Sequence, residues 1–427
     1  MTARVRDAGY AGTMTSAARP GPLLFRDAAV LDPEAGELRR GRSVLVRDGR
    51  VAEVGGPELG DPAAREVPLG GRTLVPGLID AHVHVNAVTA DIAAMAEWSP
   101  AYVTARAADV LRGMLRRGFT TVRDVAGADY GIAEAVEEGW LEGPRIIFGG
   151  KALSQSGGHG DHRSRGRYAH DGCPCTPTLS RLCDGVDQVR AAVRDELRRG
   201  AHHIKLMLSG GVASPTDRVD SVQFSAGEIT AAVEEAEAAN RYVTGHAYTA
   251  RAVNRALECG VRCIEHGNLM DERSVELLVG SGAFYVPTLA TYSALAERGR
   301  EAGLPEASHR KVFDVLEAGL HALELAHRGG VQIAYGTDLL GAMHDAQLTE
   351  FTIRAQVQPA ADILRAATTT AARLIGREGE LGVVAPGAEA DLLVVDGDPL
   401  ADISVLTRPE AHLLMIVQGG RVVRDLR

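Results

Sequence analysis

The chain has 427 residues, of which 45% are hydrophobic and 24% charged, and its formal net charge is −10. This length suits a large α/β domain with a small second domain, and the acidic charge excludes a nucleic-acid partner bound through clustered positive charge. No apolar run reaches the roughly 18 residues of a membrane helix, so no membrane partner is predicted. Five cysteines are too few for a disulfide framework, and the N-terminus has no secretory apolar region, so a cytoplasmic location is predicted.

Both ends of the chain contain short segments with the alternating pattern of β-strands. Residues 1–21, rich in Ala, Gly, Thr and Arg, are predicted to form a flexible extension. Strand-like alternation follows at 22–56 and returns at 391–425, with hairpin signals at Asp48-Gly49 and Gly419-Gly420. The ends are therefore predicted to pair into one small β-sandwich domain, formed by residues 22–73 and 374–427.

The middle of the chain, residues 74–373, alternates apolar runs with helical Ala/Glu/Arg-rich stretches. Eight such units predict a (β/α)₈ barrel. A doubly wound sheet is the alternative, but no Gly-x-Gly-x-x-Gly turn follows the first run. Long loops at 151–184 and 209–224 are predicted to form the active site, and the helical stretch 291–329 to cover it. The apolar runs are 74–85, 119–125, 144–150, 202–208, 242–248, 261–267, 283–289 and 331–338.

Polar residues stand at the carboxyl ends of these runs, which converge on one mouth in a barrel. His82 and His84 are two apart on a strand, so both point to one face, where two imidazoles suit a divalent metal. The alternative is that they are two ordinary half-buried histidines that bind no metal. His246, His266 and Asp338 at three further strand ends favour the metal site.

Lys205 lies inside the apolar run HIKLML, where an ammonium is costly. It either reaches outward or pairs with an acid, or its burial favours the neutral amine, which adds CO₂ and becomes N6-carboxylysine. That carbamate can bridge two metals about 4 Å apart. Two divalent ions are therefore predicted; imidazole and carboxylate ligands favour Zn²⁺, with Mn²⁺, Fe²⁺ and Co²⁺ as alternatives.

Five motifs resemble the amidohydrolase superfamily of metal-dependent hydrolases. They are VPGLIDAHVHV, IKLMLSGG, GHAY, IEHG and YGTD, and the tail GVVAPGAEADLLVVDGDP extends the resemblance to nearly the whole chain. Three finer features, GKALSQSGGHGDHR, KLMLSGGVASPTD and YGTDLLGAMH, are similar to the branch of Xaa-Pro and Xaa-Arg dipeptidases and ochratoxin-hydrolysing carboxypeptidases, with imidazolonepropionase more distant.

The resemblance implies a role for each position. His82 and His84 hold the more buried metal, His246 and His266 the second, and Lys205 bridges both as its carbamate. Asp338 binds the first metal and shuttles a proton. His159 and Tyr248 face the substrate, and Tyr248 or His159 is implied as a catalytic residue that stabilises the oxyanion. The implied reaction is attack of a metal-bridging hydroxide on an amide carbonyl, with Asp338 accepting the proton and passing it to the leaving amine.

Several alternatives and further residues stay open. The predicted partner is a small-molecule amide, a dipeptide or an N-acyl amino acid, and a homo-oligomer is predicted. A cyclic or natural-product amide, a mononuclear deaminase and a non-catalytic scaffold are the alternatives. Arg163, Arg165 and His344 are candidate substrate contacts, and Asp80 a candidate support for a ligand imidazole. Cys173, Cys175 and Cys183 are predicted to be loop thiols rather than zinc ligands.

Overall fold

The computed structural model describes residues 21–167, 176–214 and 216–427. Almost all of the predicted extension over residues 1–21 lies outside these residues, as do Cys173 and Cys175. In the described part of the chain, no helix is long and apolar enough to cross a membrane.

The described residues form strands and helices in an alternating order. The strands are β1 (Leu23–Asp32), β2 (Glu37–Arg47), β3 (Arg50–Gly55), β4 (Arg65–Pro68), β5 (Thr73–Pro76), β6 (Leu78–Val83), β7 (Phe119–Asp124), β8 (Arg145–Phe148), β9 (Ala152–Ser154), β10 (Ser180–Leu182), β11 (Ile204–Met207), β12 (Val243–Thr249), β13 (Cys263–Leu269), β14 (Phe284–Val286), β15 (Gln332–Ile333), β16 (Leu392–Val395), β17 (Leu413–Gln418) and β18 (Arg421–Asp425). The α-helices are α1 (Ile92–Met95), α2 (Pro100–Arg116), α3 (Tyr130–Glu137), α4 (Val186–Arg198), α5 (Ala226–Ala238), α6 (Ala250–Glu258), α7 (Glu272–Ser281), α8 (Leu289–Arg298), α9 (Glu306–Arg328), α10 (Thr349–Arg354), α11 (Ala360–Arg365), α12 (Ala371–Leu374) and α13 (Pro409–His412). Short 3₁₀ helices cover Gly341–Leu348 and Ile403–Thr407, and a π-helical turn covers Ala366–Thr370.

The two chain ends form one continuous sheet, in the order β18-β17-β16-β5-β1-β2-β3, with β4 beside β1. Both predicted hairpins are confirmed, since β2 pairs with β3 and β17 with β18. Register shifts in β1 between Phe25 and Val30 bend the sheet, as β-bulges do. Apolar side chains from both ends, such as Phe25 and Met415, consequently pack in one buried cluster.

The middle of the chain is the predicted (β/α)₈ barrel. Strands β6, β7 and β8 pair in parallel, and so do β11, β12, β13, β14 and β15 in that order. Backbone hydrogen bonds join the two groups at both seams, from His202 N to Phe148 O at 2.8 Å and from Ala81 N to Tyr335 O at 2.7 Å. Each of the eight apolar runs supplies one barrel strand, because strands covered on both faces read as continuous apolar sequence.

The first apolar run divides between the two domains. Its beginning lies in β5 of the small sheet, and its end forms β6 of the barrel. Gly77 makes the change of sheet possible, because a Cβ there would lie 2.1 Å from Thr120 Oγ1. The Gly77 N–H donates to the Asp391 carbonyl at 2.8 Å, so the crossing point is fixed against the C-terminal sheet strands.

The helical stretch predicted over 291–329 is two helices, α8 and α9. The break between them contains Gly303, which has φ = 97°, and Pro305, which precedes the first residue of α9. A glycine with positive φ is common after the end of a helix, and a proline is common at the start of the next one. The break lets α9 turn back, so that α8 and α9 pack against each other beside the barrel mouth.

Candidate metal centre

The six predicted ligands converge where the barrel strands end. His82 is on β6, Lys205 on β11, His246 on β12 and His266 on β13, while Asp338 follows β15. The imidazole centroids of His82 and His266 lie 4.9 Å apart, and those of His246 and His266 lie 4.6 Å apart. Three strands, β6, β12 and β13, thus bring the four imidazoles of His82, His84, His246 and His266 together.

His82, His84 and Asp338 form the tightest group. Asp338 Oδ1 lies 3.0 Å from His84 Nε2 and 3.3 Å from His82 Nε2, and one ligand atom from each residue lies within 4.8 Å of the others. Two nitrogens and a carboxylate oxygen are a normal donor set for a divalent transition metal.

In each imidazole of the site, one ring nitrogen is hydrogen-bonded to another residue of the protein, and the other ring nitrogen is available to bind a metal. Nδ1 is the protein-bound nitrogen in three of the rings. In His82, His84 and His246 the partner is a carboxylate or a carbonyl, which requires the bound nitrogen to carry the proton, whereas the hydroxyl partner of His266 can also donate. The opposite nitrogen then has a lone pair directed at a metal. The contacts are His82 Nδ1 to Glu265 Oε2 (2.7 Å), His84 Nδ1 to Ala126 O (2.8 Å), His266 Nδ1 to Thr288 Oγ1 (2.7 Å) and His246 Nε2 to Gly210 O (3.1 Å).

The surroundings of His82 Nε2 show whether a metal would fit between His82, His84 and Asp338. It is buried and has no hydrogen-bond partner within the described part of the chain, although Asp338 is nearby. A buried imidazole nitrogen without a partner carries a desolvation cost. A cation between His82, His84 and Asp338 removes that cost, so these residues fit a divalent ion.

Lys205 is buried, with 2% of its surface exposed, and no described residue forms a hydrogen bond to its ammonium nitrogen. Burial lowers the pKa of Lys205, against the opposing charges of Glu265 and Asp338. The amine therefore has the environment that favours its neutral, CO₂-reactive form.

Two of the predicted ligands have an unusual backbone conformation. His266 has φ = 74° and Asp338 has φ = 55°, both in the left-handed region that non-glycine residues seldom occupy. In a regular strand Glu265 and His266 point to opposite faces. The left-handed turn at His266 brings its imidazole to the same centre as the Glu265 carboxylate.

Glu265 and Arg123 form a fully buried ion pair behind His82 of the candidate metal centre. Arg123 Nη2 lies 2.5 Å from Glu265 Oε1, and the Arg123 Nε–H donates to the carbonyl of Ala81. The second Glu265 oxygen accepts from His82 Nδ1. The pair therefore fixes His82 through both its ring and its backbone. Sequence analysis did not predict that Arg123 and Glu265 support His82. The available signal was a charged residue inside each of the apolar runs FTTVRDV and VRCIEHG.

We expect Glu265→Gln to lower metal affinity at the His82 position by roughly 10- to 100-fold, the usual effect of losing a carboxylate behind a ligand imidazole. Competition with a chelator, followed by metal analysis, measures this. Because Arg123 would be left unpaired, stability should also fall by about 3–5 kcal/mol. The double variant Arg123→Met/Glu265→Gln separates the two effects, since it removes the buried charge. Unchanged metal affinity in a folded Glu265→Gln protein would contradict the role of Glu265.

Asp80 does not support a ligand imidazole, contrary to that candidate role. Its carboxylate accepts from the backbone N–H of His82 at 3.1 Å, from Thr337 Oγ1 at 2.7 Å and from Gln347 Nε2 at 2.8 Å. Asp80 thus ties the backbone of β6 to the residue before Asp338. The carboxylate that holds the His82 imidazole through its Nδ1 atom is Glu265.

His159 and Tyr248 lie directly against the second pair of histidines. The His159 ring stacks on His246 with centroids 4.2 Å apart, and the Tyr248 ring lies 4.8 Å from His246. Tyr292 of α8, which the sequence did not single out, donates its hydroxyl to Tyr248 at 3.1 Å. Burial raises the pKa of Tyr248 above its usual range, so its own O–H remains a hydrogen-bond donor.

The other candidate contacts are occupied differently. Arg163 is bound by Asp161, with an Nη2–Oδ2 distance of 2.7 Å, and Arg165 is exposed. His344 is buried, and its Nε2 lies 3.2 Å from the carbonyl oxygen of Ala87. Cys183 is a buried free thiol. Substrate contacts from Arg163 or His344 stay predictions.

Several known proteins are similar to this chain in sequence or in structure. A model of the amidohydrolase family matches residues 73–422. The chain is 32% identical to an ochratoxinase of Aspergillus niger over 93% of this chain and 86% of that protein. A solved prolidase in complex with N-methylphosphonate-L-proline has 47% identity and a TM-score of 0.93, covering 95% of this chain and 100% of that one. A solved Xaa-Pro dipeptidase with bound methionine has 27% identity and a TM-score of 0.86, with the same coverage. The chain belongs to the amidohydrolase family and is a hydrolase of carbon–nitrogen bonds.

Proposed function

We propose that the protein is a binuclear metallohydrolase that cleaves the amide bond of a dipeptide or an N-acyl amino acid. The observation that carries the proposal is the arrangement of the four imidazoles. Each is held through one ring nitrogen by the protein and faces Asp338 or another imidazole of the centre. Four imidazoles arranged in this way at the mouth of a barrel are typical ligands for divalent cations.

The substrate class is supported by the relatives. The prolidase complex and the Xaa-Pro dipeptidase are named for dipeptide substrates, and the similarity to them covers 95% of this chain. The ochratoxinase, by its name, acts on a substrate other than the one named for the dipeptidase. We infer an acyl group joined to an amino acid as the common substrate chemistry.

The residues present would hold two ions. His82, His84 and Asp338 would hold one, His246 and His266 the other, and the Lys205 carbamate would supply oxygens to both. Zn²⁺ suits this mixture of imidazole and carboxylate ligands. When bound, the ions supply Lewis acidity that makes water nucleophilic near neutral pH and polarises the scissile carbonyl.

The chain's own residues would manage the proton and the substrate oxygen. Burial opposes ionisation of Asp338, but the surrounding imidazoles, His82 first, hold its pKa well below the usual range. The carboxylate is therefore ionised at neutral pH. As a weak base it would hold an accepted proton only transiently and pass it readily to the leaving amine. Tyr248, kept protonated and already accepting from Tyr292, can donate its O–H to a substrate oxygen.

A metal and substrate survey tests the proposal. Metal-free protein is reloaded with Zn²⁺ in bicarbonate, its metal content is measured, and dipeptides and N-acyl amino acids are assayed for amino-acid release. We expect two ions per chain, as a binuclear centre requires, and hydrolysis of the free acids. The matching C-terminal amides serve as controls for recognition of the carboxylate. One ion per chain with release of ammonia would instead identify a deaminase.

A further inference from the structure

Asp217 is a buried carboxylate that gathers the segment following β11. It accepts a hydrogen bond from the Gly211 backbone N–H at 3.1 Å, from Gln223 Nε2 at 3.1 Å and from the Ser214 hydroxyl. Lys311 Nζ lies 3.4 Å from Asp217 Oδ1. A buried carboxylate with four donors is an organising centre for its loop.

Lys311 reaches this loop from a different part of the chain. It stands on α9, about 100 residues away, and its ammonium donates to the carbonyls of Gly211 at 3.1 Å and Ser214 at 2.9 Å, besides facing Asp217. An ammonium has three donors, and all three have acceptors here on one short segment. Lys311 therefore attaches α9 to the loop that follows the Lys205 strand.

His159 is held by the same residues. Its backbone N–H donates to Gln223 Oε1 at 2.8 Å, and its Nδ1 lies 2.9 Å from Ser214 Oγ. The ring fills the space above Gly211, where a Cβ would lie 2.2 Å from His159 Cε1. We call Ser214, Asp217, Gln223 and Lys311 the Asp217 clasp.

We propose that Asp217 and Lys311 are positioning residues, which hold His159 against His246 and so make α9 a required part of the active site. Three segments meet in the clasp: the segment after β9 through His159, the loop after β11 through Asp217, and α9 through Lys311. Removing either charge frees both loops at once, and the His159 ring loses the hydroxyl that orients it. The kinetic consequence rests on the proposed function, whereas the arrangement of His159 does not.

Kinetics of matched variants test the positioning role. We expect Asp217→Asn and Lys311→Met to lower kcat by roughly 10- to 100-fold, the cost of misplacing a group in an active site, with metal content unchanged. Lys311→Arg should restore most of the activity, because it returns a cation to Asp217. Arg310→Met, on the exposed side of the same helix, should have no effect.

A double-mutant cycle separates positioning from general destabilisation. In a His159→Ala background, Lys311→Met should have no further effect on kcat, because the two changes act through the same ring. If the effects of the two substitutions multiply instead, the positioning role is wrong.

Hydrogen exchange tests the clasp without any substrate. In Asp217→Asn, the backbone amides of Gly211 and His159 should exchange faster than in the parent protein, while those of the β13 strand stay protected. Unchanged exchange at both amides overturns the proposal even if activity falls. Faster exchange in a protein that hydrolyses none of the amides tested would instead count against the proposed function and leave the clasp supported.

Discussion

Lys205→Ala should lose metal and lose activity, and short carboxylic acids should restore part of both. We expect the protein to bind fewer than two ions and kcat to fall by at least about 10³-fold, equivalent to about 4 kcal/mol of transition-state stabilisation. The reason is that the carbamate of Lys205 is the proposed oxygen ligand shared by both ions. Metal analysis and kinetics with and without acetate or propionate measure the two effects.

The rescue has a matched control. Alanine leaves a space at the buried Lys205 site, which a small carboxylate can enter beside the ions. Methionine has nearly the volume of lysine, so Lys205→Met should lose metal in the same way but should not respond to the acids. Retention of two ions and full activity in Lys205→Ala would show that Lys205 is not a ligand.

The barrel and its mouth were predictable because both depend on strand periodicity. Parallel strands buried on both faces give continuous apolar runs, and polar residues at their ends must meet. His82 and Asp338 were found in this way, and the structure brings them together. The amidohydrolase resemblance and the barrel are confirmed by the family match and the solved relatives.

What escaped prediction depends on contacts between elements far apart in sequence. Arg123 and Glu265 meet across the barrel interior, and nothing in FTTVRDV alone distinguishes a buried ion pair from a surface charge. The left-handed φ of His266 also breaks the alternation on which strand reasoning relies. Lys311 is harder still, because its partner loop is reached only after α9 folds back over the mouth.

Asp338→Asn should abolish most of the activity while preserving the fold. Asparagine has the shape of aspartate and tolerates the left-handed backbone of φ = 55°, so the substitution adds no steric or backbone strain. It cannot accept a proton, and we expect kcat to fall by roughly 10³- to 10⁴-fold, the upper range for loss of a general base. The assay is made at saturating metal, with bound metal measured on the same sample, because an amide is a weaker ligand than a carboxylate.

A second aspartate with the same backbone gives the control for Asp338→Asn. Asp27 of β1 has φ = 53° but lies in the small sheet, so Asp27→Asn reproduces the chemical change without touching the centre. It should leave kcat and metal content unchanged. If Asp338→Asn binds two ions and keeps more than a tenth of the parent activity, proton transfer must use another group. His159, stacked on His246 at 4.2 Å, would then be the next residue to replace, because its imidazole is not a proposed ligand and lies against one that is.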